Sequence, residues 1–473
     1  MTTHQQNFKK LNKKIEVFEI MEGYHKDKFP SNFLQSNKKN SFIFLSWIVF
    51  LFSTFLLGGG QTKPNLQFTI IFFFGAVLSG VLVFDWKQTS FSSLSFAEKV
   101  ALSFVVAVPV MQLVPLPPAV WQCFEGRSVE HILRSLTGNE SGYFPMTLSP
   151  ADTTQYLLAL LILFGSFLAV RTFTLRERQL AIHAVTGLAG VTVLVGMLQV
   201  ASNGAVLEFY FNSHRGYLLG FFANRNHTGL FLAIGIICLV NSLFSLGKGG
   251  NSRIVFGALG ILFLISGIAA TGSRMGLALG LVATLMAILI HWRPTSEKNR
   301  KVITVVVGVG IIAALSLASS SVFNRTVDRF DNVNVDQRWQ IWPNSVSLGH
   351  SYAPVGVGIG GFEGAYAKQE KLVEVRPEYV NNVHNDYIEI FVEAGWLGIF
   401  VFALVIVVIA LAAFRVFRFE AGIERNQRLC SALVLFLILL HSVVDYPMRR
   451  MFIASIAFFA LACLLGSRSN SEA

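Results

Sequence analysis

The residues able to do chemistry gather at the borders of apolar runs. In VNNVHNDYIEIFVEAGWLGIF, residues 380–400, His384, Asp386, Glu389 and Glu393 stand at the mouth of a run apolar enough for a membrane. A second group, His214, Arg215, Asn224, Arg225, Asn226 and His227, lies within NSHRGYLLGFFANRNHTGLF. Arg274 sits in TGSRMG, Arg338 in DQRWQIW, and His441, Asp445, Arg449 and Arg450 in HSVVDYPMRR. Guanidinium forks bind phosphate through paired hydrogen bonds. A histidine titrating near neutrality takes a proton from a hydroxyl. Arginines from several loops with one histidine, His384, therefore suit a lipid-linked phosphate or pyrophosphate and a hydroxyl acceptor.

Taken singly, each residue has an ordinary role as well. Arginine and tryptophan near helix ends anchor at a membrane interface. Asp386 followed by Glu389 fits a capping box at the start of a helix. Glu393, one turn deeper, is expected to face protein or trapped water. GVGIGG, residues 356–361, has no strand before it and no βαβ context, so it reads as a close-packed turn and not as a nucleotide loop. His183 lies inside an apolar run with no evident partner and reads as a packing or interfacial residue.

The elements that must position these residues are membrane helices. The chain has 473 residues, 53% hydrophobic and 14% charged, and a mean hydropathy of +0.57. Soluble chains carry about 25% charged residues. A span needs about 20 apolar residues. Twelve such runs lie near 41–60, 67–84, 98–117, 156–172, 179–201, 227–246, 254–271, 275–292, 302–320, 387–412, 429–446 and 450–467. The fold expected is an all-α polytopic membrane protein. About forty polar residues precede the first run, so a cleavable signal peptide is not expected.

The net charge of +11 does not point to nucleic acid. Eight lysines precede the first apolar run, as in a membrane-proximal tail, and no compact basic domain with interleaved aromatics follows. With both termini cytoplasmic, the inner loops hold most of the 38 lysines and arginines. Three sizeable loops then fall outside, near 118–155, 202–226 and 321–386, the first with a short helix near SVEHILRSL. Long ordered loops tend to carry function. Cys123, Cys238, Cys430 and Cys463 form no CxxC and no His/Cys cluster in sequence, which argues against a disulfide framework or zinc site.

The motifs GFFANRNHTGLFL (220–232), TGSRMGL (271–277), RWQIWPNS with PVGVGIGGF (338–362) and VHNDYIEIFVEAGWLGIF (383–400) resemble, in this order and spacing, the O-antigen ligase and O-antigen polymerase superfamily of bacterial inner-membrane glycosyltransferases. HSVVDYPMRR (441–450) adds to the resemblance, which covers roughly residues 156–465. Hydropathy and charge placement give a cytoplasmic tail over 1–40, three helices and an outer loop over 41–155 and a short cytoplasmic tail over 468–473; the resemblance implies a ligase-like core over 156–467 that includes a periplasmic loop at 321–386. It implies transfer of a glycan from undecaprenyl pyrophosphate to an acceptor outside the inner membrane, with no cofactor and no metal. His384 takes the place of the general base. Arg274 and Arg338 take the place of the pyrophosphate ligands, with Arg215 and Arg225 secondary. Asn224, Asn226, Asn385, Asp386 and Glu389 shape the site.

Within the resemblance, the acceptor stays open. A ligase uses the lipid A core, a polymerase uses a second lipid-linked repeat unit, and a protein oligosaccharyltransferase, the less favoured branch, uses a Ser or Tyr hydroxyl. The different-class alternative is a transporter or flippase. Transporters set binding groups near the bilayer midplane on paired broken helices, whereas here the polar residues fall at helix ends on one face.

Overall fold

The computed structural model describes residues 38–60, 66–84, 94–210, 214, 216–245, 251–291, 337–370 and 379–466. The expected run at 302–320, both polar tails and Arg215 lie outside them. Fifteen α-helices are present among the described residues, and the only sheet among them is the two-stranded pair Pro115–Leu116 with Phe144–Pro145. Among the described residues, six helices are long and apolar enough to cross a membrane: 66–83, 96–113, 150–171, 175–201, 225–243 and 386–419. Shorter apolar helices cover 42–57, 255–270, 274–290 and 451–465.

In chain order the first helices are α1 (Lys38–Leu57), α2 (Leu66–Phe84) and α3 (Phe96–Leu113). α3 begins at a capping box in which Ser95 and Glu98 satisfy each other's backbone N–H groups. It stops four residues before the expected end of its apolar run, since Val114 precedes Pro115 and is extended. Two short helices follow, α4 (Pro118–Trp121) and α5 (Ser128–Leu136), the latter at the expected SVEHILRSL. Then come α6 (Pro150–Arg171), α7 (Leu175–Ala201), α8 (Arg225–Ser245), α9 (Asn251–Ala270) and α10 (Arg274–His291). The last group is α11 (Arg338–Ser351), α12 (Phe362–Gln369), α13 (Asp386–Phe419), α14 (Gly422–His441) and α15 (Met451–Leu465).

α8 and α15 form the centre. α8 is almost wholly buried, and it packs against α7, α9, α10 and α14. α8 and α10 cross at two glycines. A Cβ on Gly229 would come within 2.9 Å of Gly276 Cα, so only small residues permit this backbone approach. A second, smaller core of Ile341, Leu348, Tyr352, Val357, Phe362 and Val383 joins α11 and α12 to the start of α13.

The glycine segment 356–361 behaves as the close turn its composition predicts. Gly356, Gly358 and Gly360 all have positive φ, and a Cβ on Gly356 would sit 2.6 Å from the Glu393 carbonyl group. The segment lies against a break in α13 at Gly395, where φ is +59 and ψ is −153. Val357 and Gly358 donate backbone N–H groups to the carbonyls of Val392 and Glu393, and Trp396 N donates to Pro354 O at 3.1 Å. Gln112 of α3 joins the same knot, donating to Glu393 O at 2.9 Å and accepting from Ile359 N at 3.0 Å.

Three local expectations are corrected. The capping residue of α13 is Asn385, whose Oδ1 accepts from Tyr387 N and Ile388 N; Asp386 is already helical and Glu389 is turned to other partners. α14 ends at His441, not near 446, and frees residues 442–450 for a turn and a 3₁₀ segment at Pro447–Arg449. His183 has partners: its Nδ1 lies 2.9 Å from Ser242 Oγ and its Nε2 3.4 Å from Gln179 Nε2. The four cysteines are free thiols, Cys123 exposed and the other three buried.

Candidate functional site

Four segments converge at one end of the bundle, and backbone contacts fix their register. Asn385 and Asp386 are stitched to the turn after α14. Asp386 N donates to Ser442 O at 3.0 Å, Asn385 Nδ2 donates to Val443 O at 2.8 Å, and Ser442 Oγ donates to Asp386 Oδ2 at 2.7 Å. His384, the residue before the cap, is thereby set opposite Asp445. From α11, Trp342 Nε1 donates to Val383 O at 3.1 Å, which brings Arg338 to the same place. From the crossing of α8 and α10, Ser273 Oγ donates to Asn226 Oδ1 at 2.8 Å.

Asp445 is the hub. It is fully buried, and its Oδ2 accepts from Asn226 Nδ2 at 2.8 Å. The guanidinium of Arg338 stands 3.8 Å from that oxygen. Oδ1 lies 3.4 Å from His384 Nδ1 and 3.5 Å from His227 Nε2, and accepts from Tyr446 N at 3.0 Å. His441 Nε2 approaches Oδ2 to 4.0 Å. Burial pushes the Asp445 carboxyl up, but His227 and His384 outweigh it and hold the group well below the usual carboxylate range. The hub is therefore a carboxyl group facing three imidazoles and one guanidinium.

His384 is the member that meets solvent, with 29% of its side chain exposed against 0% for His227 and His441. Its backbone is left-handed, with φ +57. Its ring packs edge-on against Tyr446 at 4.7 Å, and Arg450 covers the Tyr446 ring at 4.8 Å. A 3.4 Å contact is short of a tight hydrogen bond, and such contacts close further when a catalytic complex forms. With Nδ1 directed at a carboxylate, the other ring nitrogen is the one left to receive a proton.

The remaining predicted residues divide. Asn224 Oδ1 accepts from Asn226 N at 2.9 Å, so it shapes the start of α8. Arg225 opens α8, with its guanidinium 4.5 Å over the Tyr217 ring, and Arg274 opens α10 beside Ser273. A Cβ on Gly272 would lie 2.7 Å from Tyr217 and 3.9 Å from Arg225 Nη1, which places the two helix starts side by side. Glu389 belongs to a different pairing: its Oε2 accepts from Val383 N at 3.1 Å, and its Oε1 lies 3.3 Å from Arg449. Arg449 also pairs with Glu393, which gives that buried carboxylate its partner.

Sequence reasoning noted Asp445, His227 and His441 as polar residues of this face but missed their part in the site. His441 and Asp445 are one helical turn apart, a readable signal, but nothing in the spacing joins either to His227. Together these three place ligand atoms within 4.8 Å of one another, a spacing that could hold a metal ion. The absence of a short His/Cys motif thus did not exclude a cluster assembled by the fold. Arg338 beside the same carboxylate opposes a second cation there.

Residues 259–403 match the family model described as O-antigen ligase. The matched segment runs from α9 into α13 and includes Arg274, Arg338 and His384, while Asn226, His227 and Asp445 come from outside it. No curated protein matches the chain. The match supports the O-antigen ligase superfamily that the motifs resemble, and with the apolar helices it marks a multi-pass membrane protein with a ligase- or polymerase-like role in polysaccharide assembly.

Proposed function

We propose that this O-antigen ligase-like chain is a glycosyltransferase of the bacterial inner membrane. It moves a glycan from undecaprenyl pyrophosphate to an acceptor hydroxyl on the periplasmic face. The observation that carries the reading is the partly exposed His384 with its Nδ1 3.4 Å from the buried Asp445 carboxyl, beside the Arg338 guanidinium.

In this mechanism His384 Nε2 takes the proton of the acceptor hydroxyl as its oxygen attacks the anomeric carbon of the donor sugar. The bond from that carbon to the phosphate oxygen breaks, and undecaprenyl pyrophosphate leaves with the electron pair. Asp445 holds the imidazole in one orientation and stabilises the imidazolium. Arg338 and Arg274, with Arg225 and Arg215 as secondary candidates, compensate the charge growing on the leaving group. Asn226 keeps Asp445 in place, and the Ser273 contact keeps Asn226 in place. The acceptor is a lipid A core in a ligase or a second lipid-linked unit in a polymerase.

The test is His384→Ala at normal expression. Surface glycan attachment or extension should be abolished and lipid-linked donor should accumulate; retained activity would remove the general base. Arg274→Lys and Arg338→Lys should lose activity as well, since lysine keeps the charge without the fork. The glycan profile of a deletion strain separates the acceptors. A bare lipid A core marks a ligase, a core capped with one repeat marks an O-antigen polymerase, and loss of another surface polysaccharide alone marks the polymerase of that pathway.

A further inference from the structure

A cavity of about 550 Å³ lies beside the hub but outside it. The N-terminal turns of α6 form one wall, the glycine segment and α12 a second, and the irregular segment leading to His384 a third. Its volume falls within the range of about 300–1,000 Å³ in which proteins enclose small-molecule ligands. We infer that this chamber seats the saccharide adjoining the reacting sugar, apart from the arginine face that takes the pyrophosphate. The inference rests on the function proposed above and gives that site its sugar-binding part.

Its walls are built for hydroxyl groups. Asp152 and Gln155 of α6, Glu363 of α12, and Asn381 and Asn382 before His384 all line the cavity. Carboxylates accept in pairs and primary amides both donate and accept, which is the complement of neighbouring sugar hydroxyls. The cations on the wall have partners. Arg449 is held between Glu389 and Glu393, Lys368 is paired with Glu130 of α5, and Arg450 donates from Nη1 to Gly60 O and stacks on the Tyr446 ring. Of these only Arg450 lacks a carboxylate partner, so a pyrophosphate would not find a pair of open forks there, whereas a polyhydroxyl ligand needs none.

The chamber is also rigid and close to the chemistry. A Cβ on Gly360 would fall 2.7 Å from the Tyr156 ring and 2.8 Å from Asp152 Cβ, so the glycine segment presses directly on this wall. Arg450 lines the chamber, stacks on Tyr446, and through it meets His384. Glu389 lines it as well and fixes the backbone of Val383. One layer of side chains therefore separates the chamber from the base. Gly364 of α12 borders the cavity, exposed and with nothing within 4 Å of an added Cβ, so a large side chain can be placed at the cavity's edge without displacing the wall.

The test uses the full chain in nanodiscs with two probes. One is the repeat-unit oligosaccharide released by mild acid from the host's surface glycan; the other is inorganic pyrophosphate. Saturation-transfer NMR should show the oligosaccharide on the wild type and equally on His384→Ala. Binding should weaken at least tenfold in Gly364→Trp and in Asn381→Ala/Asn382→Ala, with pyrophosphate binding unchanged in both. No oligosaccharide signal on the wild type, equal binding to Gly364→Trp, or loss of pyrophosphate in place of sugar would each overturn the inference. Full transfer by His384→Ala would instead strike the catalytic reading alone, because the sugar measurement does not depend on turnover.

Discussion

The carboxylate of Asp445 faces three imidazoles and a guanidinium with no exposed surface of its own. Asp445→Asn keeps the shape and removes the charge. Transfer should fall by about 10²-fold or more, the usual scale of a positioned base, as read by donor turnover in membranes. The same variant tests the ionic state. A carboxyl with a folded pKa below its unfolded value of about 3.9 contributes stability above that pH and loses it as pH falls further. Wild-type thermal stability should therefore decline on acidification below about pH 4, and the Asn variant should show a smaller decline over the same window. At His384, left-handed backbone costs a side chain about 1–2 kcal/mol that glycine does not pay. His384→Gly should thus melt above His384→Ala while both are inactive, a pairing that separates chemistry from folding.

At the scale of elements, the crossing of α8 with α10 sets Asn226 against Ser273. Gly229→Leu should destabilise the protein by about 1–3 kcal/mol through overpacking and lower transfer by separating that pair. Thermal melting and donor turnover measured on one preparation check both effects. The helices themselves were legible because apolar runs of span length announce them. Most of their ends were legible too; the exceptions were set by local chemistry. Asp386 looks like a cap, yet Asn385 takes the position because its amide oxygen reaches two backbone N–H groups. SVVDY is apolar enough to continue a helix, yet the chain turns there and delivers Asp445. His384, Arg338 and Asn226 were singled out from their residue types, their loops and the family resemblance. Their common partner was not, because the contacts that bring residue 445 to residue 384 exist only after α13 and α14 have packed.

At the scale of the molecule, the break at Gly395 decides how deep α13 sits. From Trp396 to Phe419 the helix is about 36 Å long at 1.5 Å per residue, against a hydrocarbon core of about 30 Å. That stretch alone is long enough to fill the bilayer. The turns from Asp386 to Ala394, with Glu389 and Glu393, are then expected to project beyond it as a collar of protein-enclosed charge. Gly395 is expected to act as a depth mark, the point at which the solvent of the helix changes from protein and water to lipid. Spin labels placed singly on α13 should report this as a step. Label at Ile390 should be reached by a water-soluble nickel relaxant and label at Phe400 by oxygen dissolved in the bilayer; lipid-type accessibility at both would remove the mark.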